Sequence, residues 1–388
     1  ATRSPGGPPA PGPNDRVCSI FPPGVAFLAF PFFLPFALTG MNALDLGLLL
    51  RVGHLAAAAI EVVATLLLWS VMRRFTTERW SLFLVLLYFL GTSVRTVAAQ
   101  ALWQHAGVHL AVALALWLVL ARPASWWREV AAGFALGLGA VVRQTTALLI
   151  PFLPAGRVRP TLYALIGGAL GIVPLLVYNA VAFGNPLEQG YGTKPFDGSP
   201  LVGLYGLLLS PSRGLFIYEP YMLFAIVTAV VLKPERHLDE QRLLSLAYAW
   251  AATAILYATY VEWWGGRVFG PRFLDDLAPI LFALLAWGIG HGLLRHLVLR
   301  VVFLLSAAWS LLIFQAAAFV YDQNTWDLVP VNINVDPSRL LDWSSDPQWL
   351  FVLRSVPDGG VRVVVAAGLT VLALLFLLRV ESVLPSRR

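Results

Sequence analysis

Residues 129–154 have the sequence EVAAGFALGLGAVVRQTTALLIPFLP, in which two short apolar segments, 129–142 and 145–154, flank Arg143-Gln144. Neither segment reaches the ~20 residues that an α-helix needs to span a bilayer at ~1.5 Å per residue. If each crosses separately, in a thinned bilayer or as a re-entrant pair, the chain reverses at Arg143. If together they make one crossing, every later segment inverts. The direction of the rest of the chain therefore depends on this stretch.

Apolar segments of similar or greater length recur on both sides of residues 129–154. Of the 388 residues, 58% are hydrophobic and only 12% are charged, whereas soluble domains carry roughly 25% charged residues. The sequence therefore predicts an all-α polytopic membrane protein with about 10–11 transmembrane helices. The other apolar segments lie at 55–72, 80–98, 105–121, 161–183, 219–233, 244–261, 272–290, 298–321 and 361–379.

The positions of Lys and Arg decide between the two threadings. With 129–142 and 145–154 both crossing, 15 of the 27 cations fall in the short connections on one side and at the C-terminus. Cation-rich short loops remain in the cytoplasm, so we expect both segments to cross and the C-terminus to be cytoplasmic. The net charge of +6 is interpreted as topology signals and lipid anchors, not as nucleic-acid binding.

The long loops then fall on the non-cytoplasmic face. The predicted organisation is a Pro/Gly-rich outer loop at 1–21, interfacial juxtamembrane helices at 22–50, a transmembrane bundle at 51–321 with outer loops at 184–218 and 262–271, an outer loop at 322–360, and a last transmembrane helix with a cytoplasmic tail at 361–388.

Residues 24–40 (GVAFLAFPFFLPFALTG) are apolar enough to span a membrane. However, the threading places residues 41–54 outside, and Pro31 and Pro35 interrupt the hydrogen bonds of a helix. We therefore interpret 22–50 as helices on the outer membrane surface. An ordinary span, which would shift the numbering of all the others, is the alternative.

Cationic side chains of the predicted outer face are candidates for binding phosphate. Arg143, Arg267 and Arg272 can donate bidentately to phosphate, and His105 can bind phosphate or transfer a proton. Each also has a structural interpretation. Arg143 could reach the interface or pair with an acid, Arg267 and Arg272 could anchor the membrane edge, and His105 could be a structural hydrogen-bonding group.

The acidic residues give weaker signals. Asp15, Glu219 and Glu262 are reserve candidates for a general base, with solvated loop carboxylates as the alternative. Asp275-Asp276 cannot place both side chains on one helical face, and an ion pair with Arg272 explains them at least as well as catalysis does. No His/Cys/Asp cluster has metal-ligand spacing. We therefore predict no metal-binding residues. A divalent cation remains an alternative as a cofactor.

Several strings occur in an order that resembles one known family. They are Pro22-Pro23-Gly24 with a later Arg51, and the segments around His105, Asn179 to Tyr191, Ser210 to Phe216 and Gly270-Pro271-Arg272. Across roughly 15–380 the chain resembles the membrane-embedded glycosyltransferases of the GT-C superfold. In particular it resembles the bacterial relatives of protein O-mannosyltransferases and aminoarabinose transferases, of the glycosyltransferase family 39 type.

The resemblance implies a GT-C-like bundle in a bacterial cytoplasmic membrane. It also implies transfer of a sugar from a polyprenyl-phosphate lipid to an acceptor on the non-cytoplasmic face. Gln144, Asn179, Tyr191, Trp263 and Trp264, which lie in or beside the outer-face strings, are candidate substrate contacts.

In that family the catalytic base is an acid in the first outer loop, after a first span and before the proline pair. Here the residues before Pro22 contain one acid, Asp15, in a turn-like Asn14-Asp15-Arg16 string, and no apolar span. We therefore expect the catalytic acid to lie in sequence before Ala1. The alternatives are a transporter or flippase of a lipid-linked substrate and a catalytically silent membrane accessory protein.

Overall fold

The computed structural model describes residues 10–11, 17–40, 45–120, 123–188, 196–234 and 237–379. Within these ranges regular structure is helical apart from one antiparallel pair of two-residue strands, β1 (Ala10–Pro11) and β2 (Val17–Cys18). The α-helices are α1 (Gly24–Leu38), α2 (Leu46–Met72), α3 (Glu78–Leu90), α4 (Gln104–Leu120), α5 (Trp126–Val142), α6 (Val158–Phe183), α7 (Pro200–Leu209), α8 (Leu215–Tyr218), α9 (Met222–Val231), α10 (Leu238–Thr259), α11 (Arg272–Asp275), α12 (Ala278–Gly290), α13 (Leu297–Val320), α14 (Gln323–Trp326), α15 (Gln348–Ser355) and α16 (Gly360–Arg379). A π-helical segment (Val94–Ala98) and 3-10 segments (Gln144–Phe152, Ser338–Leu340 and Val356–Gly359) lie between them.

Three of these helices, α2, α6 and α13, are long and apolar enough to cross a membrane. They have 27, 26 and 24 residues, which at ~1.5 Å per residue exceeds the ~30 Å hydrocarbon core. Helices α1, α4, α7, α9 and α12 are apolar but shorter. The all-helical part of the predicted fold is therefore confirmed, and three of the predicted spans are long and apolar enough to cross a membrane.

The stretch 129–154 folds back on itself at Arg143. Gly133 of α5 packs on Ala164 of α6, and Gly137 packs on Gly168, so α5 and α6 run in the same direction. The chain between them must return, and it does so as the 3-10 helix Gln144–Phe152, which at ~2.0 Å per residue is ~18 Å long. If residues 129–142 and 145–154 run through the bundle separately, as predicted, the chain must reverse its direction at Arg143 in this way.

Glycines allow α5 and α6 to approach until their backbones touch. A Cβ added to Gly167 would lie 1.9 Å from the Val130 carbonyl oxygen, and one added to Gly133 would lie 2.0 Å from the Ala164 oxygen. Gly133 with Gly137, and Gly167 with Gly171, are pairs four residues apart. Such small-xxx-small spacing holds membrane helices together by close packing, since lipid provides no hydrophobic drive for their association.

The predicted boundary between interfacial helices (22–50) and bundle (51–321) falls inside α2, which runs through Arg51 without a break. The helix begins at Leu46 because the Asp45 side chain accepts a hydrogen bond from the Leu48 amide at 3.0 Å and so caps its N-terminus. The part of the predicted interfacial segment that forms a helix of its own is α1, and this helix contains Pro31 and Pro35.

The longer connections meet at one end of the bundle, which we call the loop end (residues 99–105, 143–146, 196–218, 259–276 and 321–359). Gly53 packs on Leu102 there, the Thr145 and Tyr257 hydroxyls are 2.7 Å apart, and the Trp343 indole donates to Tyr205 at 2.7 Å.

The opposite end of the bundle consists of residues 73–78, 123–129, 237–242 and 290–297. There Gly290 packs on the Phe75 carbonyl, and Arg74 pairs with Asp239 at 3.1 Å. The segments assigned to the outer and cytoplasmic faces from charge thus collect at two different ends of the fold.

Candidate functional site

Asp276 lies at the loop end between α11 and α12, where three distant segments meet. Its Oδ1 is 2.6 Å from Nδ1 of His105, the second residue of α4, and its Oδ2 is 2.8 Å from a guanidinium nitrogen of Arg143, which follows α5. The Asp276 side chain is 3% exposed and that of Arg143 is 12% exposed. Arg143 and His105, both predicted from the sequence, are thus brought together by an acid that connects them.

Aromatic rings surround the two arginines of this cluster. The Arg143 guanidinium lies 4.7 Å from the Phe273 ring and 5.4 Å from the Tyr257 ring. Arg272 lies 5.7 Å from the same Phe273 ring and 5.4 Å from the ring of Trp103, which is 46% exposed. Cations attract the negative face of an aromatic ring, so Phe273 holds two cationic groups beside a partly exposed surface.

Asp275 faces a different partner from Asp276, as the prediction for adjacent helical positions requires. Its Oδ2 accepts a hydrogen bond from the Ser93 amide at 2.9 Å. The sequence also suggested an ion pair between these acids and Arg272. The structure shows that Asp276 pairs with Arg143 and His105, two partners that sequence spacing could not indicate.

A second pair of ionisable residues, Glu61 of α2 and His109 of α4, lies fully buried behind this cluster. His109 Nδ1 is 2.5 Å from Glu61 Oε1, and its Nε2 is 2.9 Å from the carbonyl oxygen of Asp275. Neither residue is among the candidates predicted from the sequence. A signal was present, since an ionisable residue inside an apolar helix is costly and usually has a partner and a function.

The reserve acids are placed differently from one another. Glu219 is fully buried, and its Oε2 lies 3.4 Å from the Tyr221 hydroxyl. Glu262 is half-buried. Its carbonyl accepts a hydrogen bond from the Gly265 amide at 3.0 Å, and this bond closes a turn. Asp15, together with the candidate substrate contact Tyr191, lies outside the described residues.

The remaining substrate candidates are separate from the Asp276 cluster or pack inside the loops. Asn179 is buried, and its amide donates to the Pro186 carbonyl at 3.1 Å. Trp263 is buried against Gly206, and the buried Trp264 indole donates to Asn334 at 3.1 Å. Their ring faces are thus used for packing and not displayed for a sugar. Gln144 directly follows Arg143 and is half-buried, and Arg267 is half-buried in its loop.

A buried arginine, Arg213, forms hydrogen bonds with several of the loops at this end. It donates to the carbonyls of Trp264 and Gly266, each at 3.2 Å, and lies 3.4 Å from Asp327 Oδ1. It also bonds to the Gln348 side chain. Burial raises the pKa of the Asp327 carboxyl above its usual range, while Arg213 opposes that shift. Arg213 therefore holds three loop segments in fixed positions relative to the bundle.

Among the described residues no group of three or more His, Cys, Asp or Glu side chains is arranged to hold a metal ion. Comparisons of the chain with protein-family models, with curated proteins and with solved structures find no match in any of the three.

Proposed function

We propose that the protein is a polytopic membrane glycosyltransferase with a GT-C-like bundle, which takes a sugar from a polyprenyl-phosphate lipid and transfers it to an acceptor at the loop end. The observation that carries this proposal is the placement of Arg143 and Arg272 on one aromatic ring, 4.7 and 5.7 Å from Phe273, at a partly exposed end of an apolar bundle.

A polyprenyl-phosphate sugar has three chemical parts, and the loop end together with α6 offers a surface for each. The two guanidiniums suit the phosphate. The exposed apolar side chains along α6, among them Leu170, Val173 and Val177, suit the polyprenyl chain. Trp103, whose ring is partly exposed beside Arg272, suits the sugar because aromatic faces stack on sugar rings.

The reaction assigned to this site is displacement at the anomeric carbon of the sugar. The acceptor oxygen forms a bond to that carbon, the bond from carbon to phosphate oxygen breaks, and the electron pair stays on the lipid phosphate. Arg143 and Arg272 would stabilise the negative charge that develops on this phosphate. The acceptor proton passes to a carboxylate base, which we assign to the first outer loop, as the family resemblance implies.

The orientation in a bacterial cytoplasmic membrane is part of the same proposal, with the loop end outside and the C-terminus in the cytoplasm. It is supported by the cations that the fold collects at the opposite end, in keeping with the rule that cytoplasmic loops are rich in Lys and Arg. Within the segments of that end they are Arg73, Arg74, Arg128, Arg242 and Arg295.

The test measures binding of decaprenyl phosphate to the detergent-purified chain, and transfer of labelled sugar from polyprenyl-phosphate mannose or aminoarabinose to a membrane extract. Arg143→Ala is expected to weaken binding about 100-fold, because a charge-assisted contact contributes about 1.5–3 kcal/mol. Arg128→Ala is the matched control, since Arg128 is a half-buried arginine on an aromatic ring at the opposite end. Equal affinities in both variants and the wild type would rule out the proposed site.

A transporter or flippase of the same lipid is the second candidate, and the burial of Glu61 and His109 inside α2 and α4 favours it. Ionisable pairs within apolar helices are typical of proton-coupled transport. Proteoliposomes loaded with a fluorescent polyprenyl-phosphate sugar separate the two functions. Movement of intact lipid between leaflets supports the transporter, whereas release of polyprenyl phosphate with sugar transfer supports the enzyme.

A further inference from the structure

Two histidines of α4, one helical turn apart, hold the two residues of the 275–276 turn. His105 Nδ1 lies 2.6 Å from the Asp276 carboxylate, and His109 Nε2 lies 2.9 Å from the Asp275 carbonyl oxygen. Positions i and i+4 of a helix lie on one face, so both rings can reach the same turn. The Ser93 amide, 2.9 Å from the Asp275 side chain, fixes the turn from a third direction.

The contacts of His109 determine how many protons the Glu61–His109 pair holds. A carbonyl oxygen only accepts hydrogen bonds, so Nε2 of His109 must carry a proton and donate it to Asp275, 2.9 Å away. The 2.5 Å contact between Nδ1 and Glu61 needs one further proton between the two atoms. Whichever of the two atoms carries that proton, the pair has no net charge, and His109 remains a donor to the Asp275 carbonyl.

The surroundings of the pair keep it out of contact with any ligand. Glu61, His109 and Tyr88 of α3 are all fully buried, and the Tyr88 ring meets His109 edge-on at 5.9 Å. Tyr88 in turn packs edge-on against Phe282 of α12 at 5.3 Å. An effect of His109 on binding at the loop end must therefore pass through the Asp275 backbone to Asp276.

We propose that Glu61 and His109 form a buried, uncharged pair, joined by one shared proton, that positions Asp276, and through it Arg143, to bind the phosphate of a lipid-linked donor. This inference rests on the proposed phosphate binding at Arg143. The pair fixes the carbonyl of Asp275, so the next side chain, Asp276, stays directed at Arg143 and His105. Arg143 is thereby held over Phe273, beside Arg272. Glu61 and His109 are positioning residues, since neither touches the ligand.

The experiment measures affinity for decaprenyl phosphate in the full chain, with variants that remove or keep the donor to Asp275. His109→Leu removes both ring donors and is expected to weaken binding about tenfold. His109→Gln keeps amide N–H donors and is expected to remain within about threefold of the wild type. Glu129→Gln is the matched control, because it disrupts another buried carboxylate contact, with Arg242, at the opposite end. It should leave the affinity unchanged.

A spectroscopic readout tests the proton count separately from binding. In protein labelled with 15N-histidine, Nε2 of His109 is expected to carry a proton in both the wild type and Glu129→Gln. An unprotonated Nε2 would overturn the inference, as would equal binding losses in His109→Leu, His109→Gln and Glu129→Gln. If Arg143→Ala weakens binding about 100-fold while His109→Leu binds like the wild type, positioning fails and the proposed function stands. If Arg143→Ala binds like the wild type, the proposed function itself fails.

Discussion

The two ends of the bundle each contain a buried arginine–carboxylate pair, but they enclose it differently. At the opposite end, the Arg242 and Glu129 side chains are 1% and 4% exposed, and Arg242 also donates to the Val119 carbonyl at 2.7 Å. At the loop end, Arg143 is 12% exposed, and Asp276 shares it with His105. A second arginine, Arg272, lies near the same Phe273 ring.

This difference shows that burial of a charge does not by itself indicate function. The Arg242–Glu129 pair is enclosed on all sides and joins α10 to α5, so its attraction acts only within the protein. In the Arg143–Asp276 pair only Arg143 is partly exposed, and it lies near a second cation, Arg272, which is the arrangement that the proposed phosphate site requires. Partial exposure next to a second like charge, more than burial, distinguishes the candidate site.

The largest effect is expected from Glu129→Ala, which leaves Arg242 buried without its carboxylate partner. Removing one member of a buried pair costs about 3–5 kcal/mol, so we expect a loss of that size in the free energy of unfolding, measured by denaturant unfolding in detergent. Affinity of the folded protein for decaprenyl phosphate should not change, because the pair lies at the far end from Arg143.

The paired variant Glu129→Leu/Arg242→Met is the control for this prediction. It removes both charges together, and well-packed apolar replacements of buried ion pairs are close to neutral in stability. We expect it to regain most of the stability that Glu129→Ala loses. A decaprenyl phosphate affinity that falls with Glu129→Ala would mean that the two ends are coupled, and the contrast between them would be lost.

Much of the fold could be predicted from local pattern alone. The predicted apolar segments are helical in the structure because hydrophobic runs of that length have few other ways to satisfy their backbone in lipid. Segments 80–98 and 272–290 are each divided into two helical pieces, and 145–154 is a 3-10 helix. The reversal at Arg143 followed from counting charges in loops, and the structure shows it as parallel α5 and α6. The glycine pairs that hold these helices together, such as Gly133 with Gly137, were visible in the sequence but were not used.

The site could be predicted only in part, because its contacts join distant parts of the chain. Arg143 and His105 stood out as ionisable groups at the ends of apolar segments. Asp276 was assigned to a local pair with Arg272, the nearest cation in sequence, because its partner His105 is 171 residues away. Glu61 and His109 are 48 residues apart. Only the packing of α2 against α4 brings them together.

A smaller effect is expected from Arg272→Ala, which removes the second cation of the loop end. We expect decaprenyl phosphate affinity to fall about tenfold, because one of two charge-assisted contacts to phosphate is lost. Stability should change by less than about 1 kcal/mol, since the cation–π contacts of a half-exposed arginine are weak. Binding titrations at low and high salt measure the first effect, and unfolding in detergent measures the second.

Arg272→Lys is the control, since it keeps the charge but loses the planar fork. It should bind better than Arg272→Ala and less well than the wild type. If Arg272→Ala binds as tightly as the wild type, the second arginine does not contribute to the site, and the loop end would differ from the opposite end only in exposure.

The smallest effect is expected from Trp103→Ala, and it addresses the sugar. Trp103 is 46% exposed beside Arg272, whereas Trp126 is 65% exposed at the opposite end and is the matched control. If Trp103 stacks on the sugar, its removal should weaken polyprenyl-phosphate mannose about threefold more than decaprenyl phosphate, because only the first ligand carries a sugar. If Trp103 serves only to hold Arg272, both ligands should weaken equally. Trp126→Ala should change neither affinity, because Trp126 lies at the opposite end of the bundle from Arg143 and Arg272. A loss there would show that exposed tryptophans act through the lipid interface and not through the site.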